Sequence, residues 1–292
     1  MKIGTVLNEA PLPQLIEAAR KIEAAGLSNI WMANIFGYDA ISILAILGRE
    51  TSHIGLGTAV TPTYPRHPTA IAQQAIATAA VTNNRFTLGI GLSHKLVIED
   101  MFGMSYDKPA KHMREYLSVL MPLARGETAN FEGQQYSVRG VNISVPGAER
   151  LPVVIAGLGP VMLRLAGEMT DGTSTWMVGP KTMADHIVPG LGRDDATVVG
   201  GVPIALTTNV EAAREKIAKD LLIYGQLPSY RAMLDREGIE GPADLAIVGD
   251  ENTLRGEIMR FQDAGVTHFS AAIMDVEDGA YERTLDFLST LT

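Results

Sequence analysis

Apolar residues in this chain form short unbroken runs, separated by longer stretches in which they recur at helical spacing. The runs are Lys2–Leu7, Asn29–Ala33, His53–Val60, Phe86–Leu92, Val153–Gly157, Thr173–Gly179, Gly201–Thr207 and Thr267–Ile273. They show no polar face, as expected of parallel strands covered on both sides. The stretches between them predict helices. In Pro13–Ala25 the residues Leu15, Ile16, Ala19 and Ile22 share one stripe, and Gly26 is the stop. Further helices are predicted over Tyr38–Arg49, Thr69–Val81, Lys111–Arg125 and Val161–Met169, then from Lys181. Glu211–Tyr224, Ser229–Arg236, Thr253–Ala264 and Tyr281–Leu291 complete the set. Phe131–Val145, punctuated by polar residues and Gly, reads as a hairpin-like insertion.

Strands alternating with helices imply parallel βαβ units. Eight such units in 292 residues favour an α/β fold of the (β/α)8 TIM-barrel type with insertion segments, over an open doubly wound sheet. No linker or repeat divides the chain, so residues 1–292 are expected to form one domain.

Composition narrows the chemistry. A formal net charge of -9 argues against non-specific nucleic-acid binding, which needs dense Lys and Arg. The chain has no cysteine, which removes disulfides, thiolate metal sites and thiol nucleophiles. No signal-peptide pattern opens the sequence, and no apolar run is long enough to span a membrane, so a soluble, cytoplasmic protein is expected. The expected partner is a small-molecule substrate, and a homodimer is left open.

Active sites of such barrels lie at the C-terminal ends of the strands. That directs attention to three segments. In Gly157-Leu158-Gly159-Pro160 two glycines admit close backbone approach, and the following helix offers free N–H groups to a phosphate. A tight turn with no ligand explains the same residues equally well. In Gly91-Leu92-Ser93-His94-Lys95 the imidazole could exchange a proton and Lys95 could meet an anion, although a solvated loop histidine is the commoner case. Three prolines shape the segment from Thr61 to Pro68 and hold Arg66 and His67 near the mouth. No nucleophile elbow, histidine metal pair, Gly-Lys-Ser/Thr phosphate loop or first-turn Rossmann fingerprint is present.

The strings Leu56-Gly57-Thr58-Ala59-Val60, Pro65-Arg66-His67-Pro68, Ala72-Gln73-Gln74-Ala75 and Asn84-Arg85-Phe86-Thr87-Leu88-Gly89-Ile90-Gly91 resemble the third- and fourth-strand regions of luciferase-like oxidoreductases. Phe131-Glu132-Gly133 with Tyr136, Ala156-Gly157, and Ala166 to Gly172 continue the resemblance in the family's order. The combination is most similar to the coenzyme F420-dependent branch. The resemblance implies hydride transfer at C5 of the deazaflavin to or from a small organic substrate. It places a non-prolyl cis peptide at Ala59–Val60 behind the ring. It implies a cofactor site of Asn34, Thr58, Ala59, Val60, Gly91, Leu92, Ser93 and His94, with Gly157, Leu158, Gly159 and Pro160 receiving the phosphate. Arg66, His67, Lys95 and Arg164 are candidates to meet an anionic cofactor tail. The sequence departs from several F420-dependent relatives by carrying Asn34-Ile35 where they have an Asp-His pair. His94 is therefore the remaining candidate for a catalytic acid or base. Trp31, Phe36, Tyr38, Tyr64 and Trp176 suggest an apolar pocket, although aromatics near strand ends are more often packing. Two other functional readings stay open: a reduced-FMN monooxygenase of the same fold, and a catalytically silent flavin-binding protein.

Overall fold

The computed structural model describes all 292 residues. The eight expected strands are present: β1 (Lys2–Val6), β2 (Asn29–Met32), β3 (Gly55–Thr58), β4 (Phe86–Gly91), β5 (Val153–Ala156), β6 (Gly172–Trp176), β7 (Thr197–Leu206) and β8 (His268–Ile273). Each pairs in parallel with the next in chain order, and β8 returns to β1, closing an eight-stranded barrel. β7 begins four residues before its apolar run suggests, because Thr197–Gly200 pair with β6. A three-residue strand that the sequence pattern does not announce, Ile247–Gly249, pairs with the far end of β7.

The first five helices are α1 (Leu12–Ala24), α2 (Ala40–Glu50), α3 (Pro68–Val81), α4 (Pro109–Ala124) and α5 (Pro160–Met169). Their starts follow local chemistry. Asp39 accepts from the Ser42 amide at 2.8 Å as the N-cap of α2, and proline opens α3, α4 and α5. Outward-facing strand residues such as Ile30, Leu56, Leu88 and Ile155 form one core with the inner faces of these helices, including Leu15, Ile22, Leu44 and Ile71. Full burial of each such side chain is worth about 1.5–3 kcal/mol.

The barrel interior is filled differently. A Cβ at Gly57 would lie 2.2 Å from the Trp31 ring, so this glycine is the space that the indole occupies. Trp31 is therefore barrel packing at 1% exposure, the commoner of the two roles weighed for it from the sequence.

Two carboxylates organise the outer turns. Glu23 accepts from the amides of Ser52, His53 and Ile54 at 2.9, 2.8 and 2.9 Å, fixing the approach to β3. Glu115 on α4 accepts from the amides of Gln134, Gln135 and Tyr136 at 3.2, 2.7 and 3.2 Å. Those amides form the turn of the antiparallel hairpin Ala129–Glu132 and Ser137–Val141, which is the expected insertion with its start two residues earlier. A long helical excursion from the barrel follows β7. Its helices are Val210–Asp220, Leu222–Gln226, Pro228–Glu237 and Pro242–Leu245. No helix is long and apolar enough to cross a membrane.

Candidate active site

The mouth is built from the residues that end β2 to β6. β3 stops at Thr58, and the chain turns through a cis Ala59–Val60 peptide before pairing again at Thr61–Pro62 beside β4. The cis peptide lies where the family resemblance places it. Neighbouring strands hold the bulge on both sides. The Ala59 amide donates to the Met32 carbonyl at 2.9 Å, and the Asn34 amide donates to the Val60 carbonyl at 3.4 Å. Thr58 is fully buried, and its hydroxyl bridges the Gly89 carbonyl and amide at 2.7 and 2.9 Å. It supports the bulge from behind and presents no group to a ligand. A Cβ at Gly89 would lie 1.9 Å from the Thr58 carbonyl oxygen, so β4 needs glycine to approach this closely.

Gly91 continues the same floor. A Cβ there would meet Val60 Cγ2 at 2.7 Å and Ala156 Cβ at 3.2 Å, bringing the ends of β3, β4 and β5 together with only small side chains between them. After Gly91 the chain passes through Leu92 to Ser93, a non-glycine residue with φ 59°. Met177, just beyond β6, has φ 60°. Side chains avoid this left-handed region, and such residues cluster at functional sites.

His94 follows and is half-buried. Burial lowers the pKa of its imidazole, so the ring is neutral at pH 7. It lies 5.9 Å from the ring of Tyr230, a residue of the excursion after β7.

Gly157-Leu158-Gly159-Pro160 lies beside Gly91 across the β4–β5 pair. Gly157 is buried against the first turn of α5, where a Cβ would meet Met162 at 3.2 Å. Gly159 is exposed, has ordinary extended geometry, and would place a Cβ in open space. No side chain caps α5. Its first amides are thus free donors at the positive end of the helix dipole. The His186 Nε2–H donates to the Leu158 carbonyl at 2.7 Å and holds the turn from below.

Several of the predicted residues have partners within the chain. The Asn34 side-chain oxygen accepts from the Ala40 amide at 3.1 Å and from Arg66, so it serves the start of α2. Arg66 is ion-paired with Asp39, which also accepts from Gln74 at 2.9 Å. This arginine clamps the β3 loop to α2 through Nη2, while its buried Nη1 has no partner in the chain. His67 caps α3, accepting from the Thr69 amide at 3.3 Å, and Lys95 pairs with Glu99 at 3.5 Å. Arg164 is exposed on α5. Tyr64 is buried packing, stacked on His112.

Three ring residues at the mouth escape a reading by strand ends. Tyr106 comes from the β4–α4 segment, and Tyr224 and Tyr230 come from the excursion after β7. Ile35 and Phe36 are 62% and 61% exposed at the rim, and Phe36 meets Phe102 edge-on at 6.3 Å. No group of three or more His, Cys, Asp or Glu side chains is placed to hold a metal ion.

The site is thus a glycine-floored barrel mouth with a cis bulge, next to an uncapped helix. A profile of the luciferase-like monooxygenase family matches residues 2–268, and the chain belongs to that family. It is 26% identical over 247 residues to 5,10-methylenetetrahydromethanopterin reductase of Methanolobus tindarius, covering 82% of this chain and 75% of that one. Its fold matches the coenzyme F420-dependent tetrahydromethanopterin reductase of Methanopyrus kandleri with TM-score 0.81 at 20% identity, covering 99% and 97% of the two chains. It also matches the FMN-bound oxygenating constituent of 3,6-diketocamphane monooxygenase of Pseudomonas putida, with TM-score 0.76, 14% identity, and 99% and 97% coverage. The chain is an oxidoreductase of this family.

Proposed function

We propose that this oxidoreductase uses coenzyme F420 to move a hydride to or from a small organic substrate. One observation carries the reading. The floor formed by Ala59, Val60, Gly91 and Ala156 adjoins the open Gly159 turn and the free amides of α5. A flat ring and a phosphate linked to it fit these two adjacent places. When bound, F420 supplies a carbon centre, C5, that exchanges a hydride as an electron pair. The chain's own residues hold the ring against the cis bulge, bind the phosphate through the backbone at Gly157–Pro160, and offer a neutral imidazole at His94. A carboxylate–imidazole pair after β2 has no counterpart here, because Ile35 cannot carry a proton.

FMN has a phosphate and a similar ring, and its reduced form reacts with oxygen, so a reduced-FMN monooxygenase is the second reading. The same floor and turn support it. Equilibrium titration of F420 and FMN into the protein at two salt concentrations tests the choice. Tighter binding of F420 is expected, with the phosphate and tail contributions weakening as salt rises while ring packing persists. Tighter FMN binding, with oxygen-dependent turnover, would establish the second reading instead. Binding of either cofactor without turnover of any substrate would leave a silent flavin-binding protein.

A further inference from the structure

The excursion after β7 brings aromatic rings to the mouth in a continuous row. Trp176, at the end of β6, meets Tyr224 at 5.9 Å between centroids and 72° between planes. Tyr224 meets Tyr230 at 5.3 Å and 81°, and Tyr230 reaches His94 at 5.9 Å. The row runs from β6 to the loop after β4 and lies on the same end of the barrel as Gly91 and Gly157. Glu237, on the Tyr230 helix, ties the excursion down by accepting from the Lys181 and Thr182 amides at 3.1 and 2.8 Å.

Every polar group in this row is uncharged at neutral pH. Burial lowers the His94 pKa and raises those of the Tyr224 and Tyr230 phenols. The nearby cation Lys95 is engaged with Glu99. A charged ligand brought against these rings would lose hydration with no counter-ion to replace it. Trp176 contributes a second, independent feature: its Nε1–H is buried and has no acceptor in the chain. Trp31 Nε1 is likewise unpaired but lies sealed inside the barrel, whereas Trp176 stands in the ring row at the mouth, where a ligand can supply the acceptor.

We propose that Trp176, Tyr224, Tyr230 and His94 form the wall of the substrate subsite, and that the subsite takes a flat, uncharged, conjugated carbonyl compound. The planar body lies against the tyrosine rings, and the carbonyl oxygen accepts from Trp176 Nε1. The assignment rests on the oxidoreductase reading above. It adds a substrate class and four residues acting as a unit.

Calorimetric titration of the protein tests this without turnover. The probes are 2-acetonaphthone, an uncharged aromatic ketone, and 2-naphthoate, its anionic analogue of similar shape. The ketone should bind, and the carboxylate should bind at least about tenfold more weakly because its charge finds no partner. Tyr230→Ala and Trp176→Phe, each checked for folding by circular dichroism, should each weaken the ketone by about three- to tenfold, as loss of one aromatic contact predicts. The ketone should still bind when F420 or FMN is saturating. Absence of ketone binding, equal binding of the carboxylate, or unchanged affinity in both variants would overturn the proposal. Displacement of the ketone by either cofactor would also overturn it, because the row would then be the seat of the cofactor ring. Ketone binding with no affinity for either cofactor would sink the cofactor reading and leave the subsite standing.

Discussion

The Tyr106 hydroxyl donates to the Ser93 carbonyl oxygen at 3.2 Å, tying down the left-handed residue that precedes His94. Tyr106 is itself held by a stack. Its ring lies 5.4 Å from Tyr64 at 25°, and Tyr64 lies flat on His112 at 4.0 Å and 3°. His112 is fixed at both nitrogens, by the Thr63 hydroxyl at 2.9 Å and by Gln135 Oε1 at 3.0 Å. Since an amide oxygen only accepts, Nδ1 carries the proton and Nε2 accepts from Thr63. Burial favours this neutral ring by lowering its pKa.

The first prediction follows from that anchor. Tyr106→Phe keeps the ring in the stack and removes only the hydrogen bond to Ser93. One such bond is worth about 1 kcal/mol, or about a fivefold change in a local opening equilibrium. Amide hydrogen exchange across residues 93–98 should speed up by about that factor, while exchange in β1 and β8 stays unchanged. Unaltered exchange in the loop would show that the stack alone holds Ser93.

The second prediction concerns the phosphate seat. Gly159 is extended with φ -84°, and a Cβ there meets nothing within 4 Å. Gly159→Val should therefore still fold, with a stability loss of about 1 kcal/mol from the poorer N-cap of α5. The branched side chain would nevertheless stand beside the free amides of α5. Cofactor affinity should fall at least about tenfold, the effect of losing one or more charge-assisted bonds. A folded variant with full affinity for both F420 and FMN would remove the phosphate from this turn.

These two positions show what a sequence can and cannot convey. Strands buried on both faces carry their own signature, so the barrel is legible from β1 to β8. The Gly157–Pro160 turn is legible too, because glycine and proline restrict the backbone locally. The commitments of polar side chains are less accessible. Asn34 and Arg66 stand at strand ends, as ligand residues would, yet Asp39 draws Arg66 into a clamp on α2. The Asp39-to-Ser42 spacing ahead of an apolar helix is a cap signal from which that competition could have been anticipated. Tyr224 and Tyr230 reach the mouth only because the post-β7 excursion folds back over it, and no local periodicity encodes that return.

Acid stability gives the third prediction. His268, at the start of β8, packs edge-on against Trp31 at 6.4 Å. Burial, with Lys2 and the chain's amino terminus nearby, pulls its pKa down to about 4 from an ordinary 6.5. The unfolded chain takes up a proton near 6.5, whereas the folded chain resists protonation until about 4. Stability from the neutral ring is therefore complete above pH 6.5 and is lost as pH falls through that interval to about 4, by up to about 3 kcal/mol. His268→Gln should flatten the denaturant-derived stability curve across this window. Glu23 and Glu115 begin to act only at its lower edge, near the ordinary carboxylate value of 4.5. Burial raises their pKa values, but backbone N–H bonds outweigh that and hold both carboxylates below the ordinary value, so their contributions disappear only at lower pH. A His268→Gln curve parallel to that of the parent would exclude this histidine from the acid response.

The last prediction concerns His94. Its ring stands at the end of the glycine floor, and burial with no compensating anion lowers its pKa. The neutral form therefore predominates at pH 7 and can accept a proton from a substrate hydroxyl; in the reverse direction the imidazolium returns that proton to a developing alkoxide. If it accepts, kcat/KM should be constant above the lowered pKa and fall with unit slope as pH drops through it, since protonation removes the base. The midpoint should lie below 6.5, the ordinary histidine value. His94→Gln keeps a polar side chain of similar reach but cannot exchange a proton. It should lower kcat/KM by about 10²–10⁴ and abolish the acidic limb of the profile. Cofactor affinity, measured separately by titration, distinguishes this role from ring lining. A variant that binds cofactor less tightly yet retains the acidic limb would make His94 a wall of the ring pocket, with the proton exchanged by solvent or by the substrate itself.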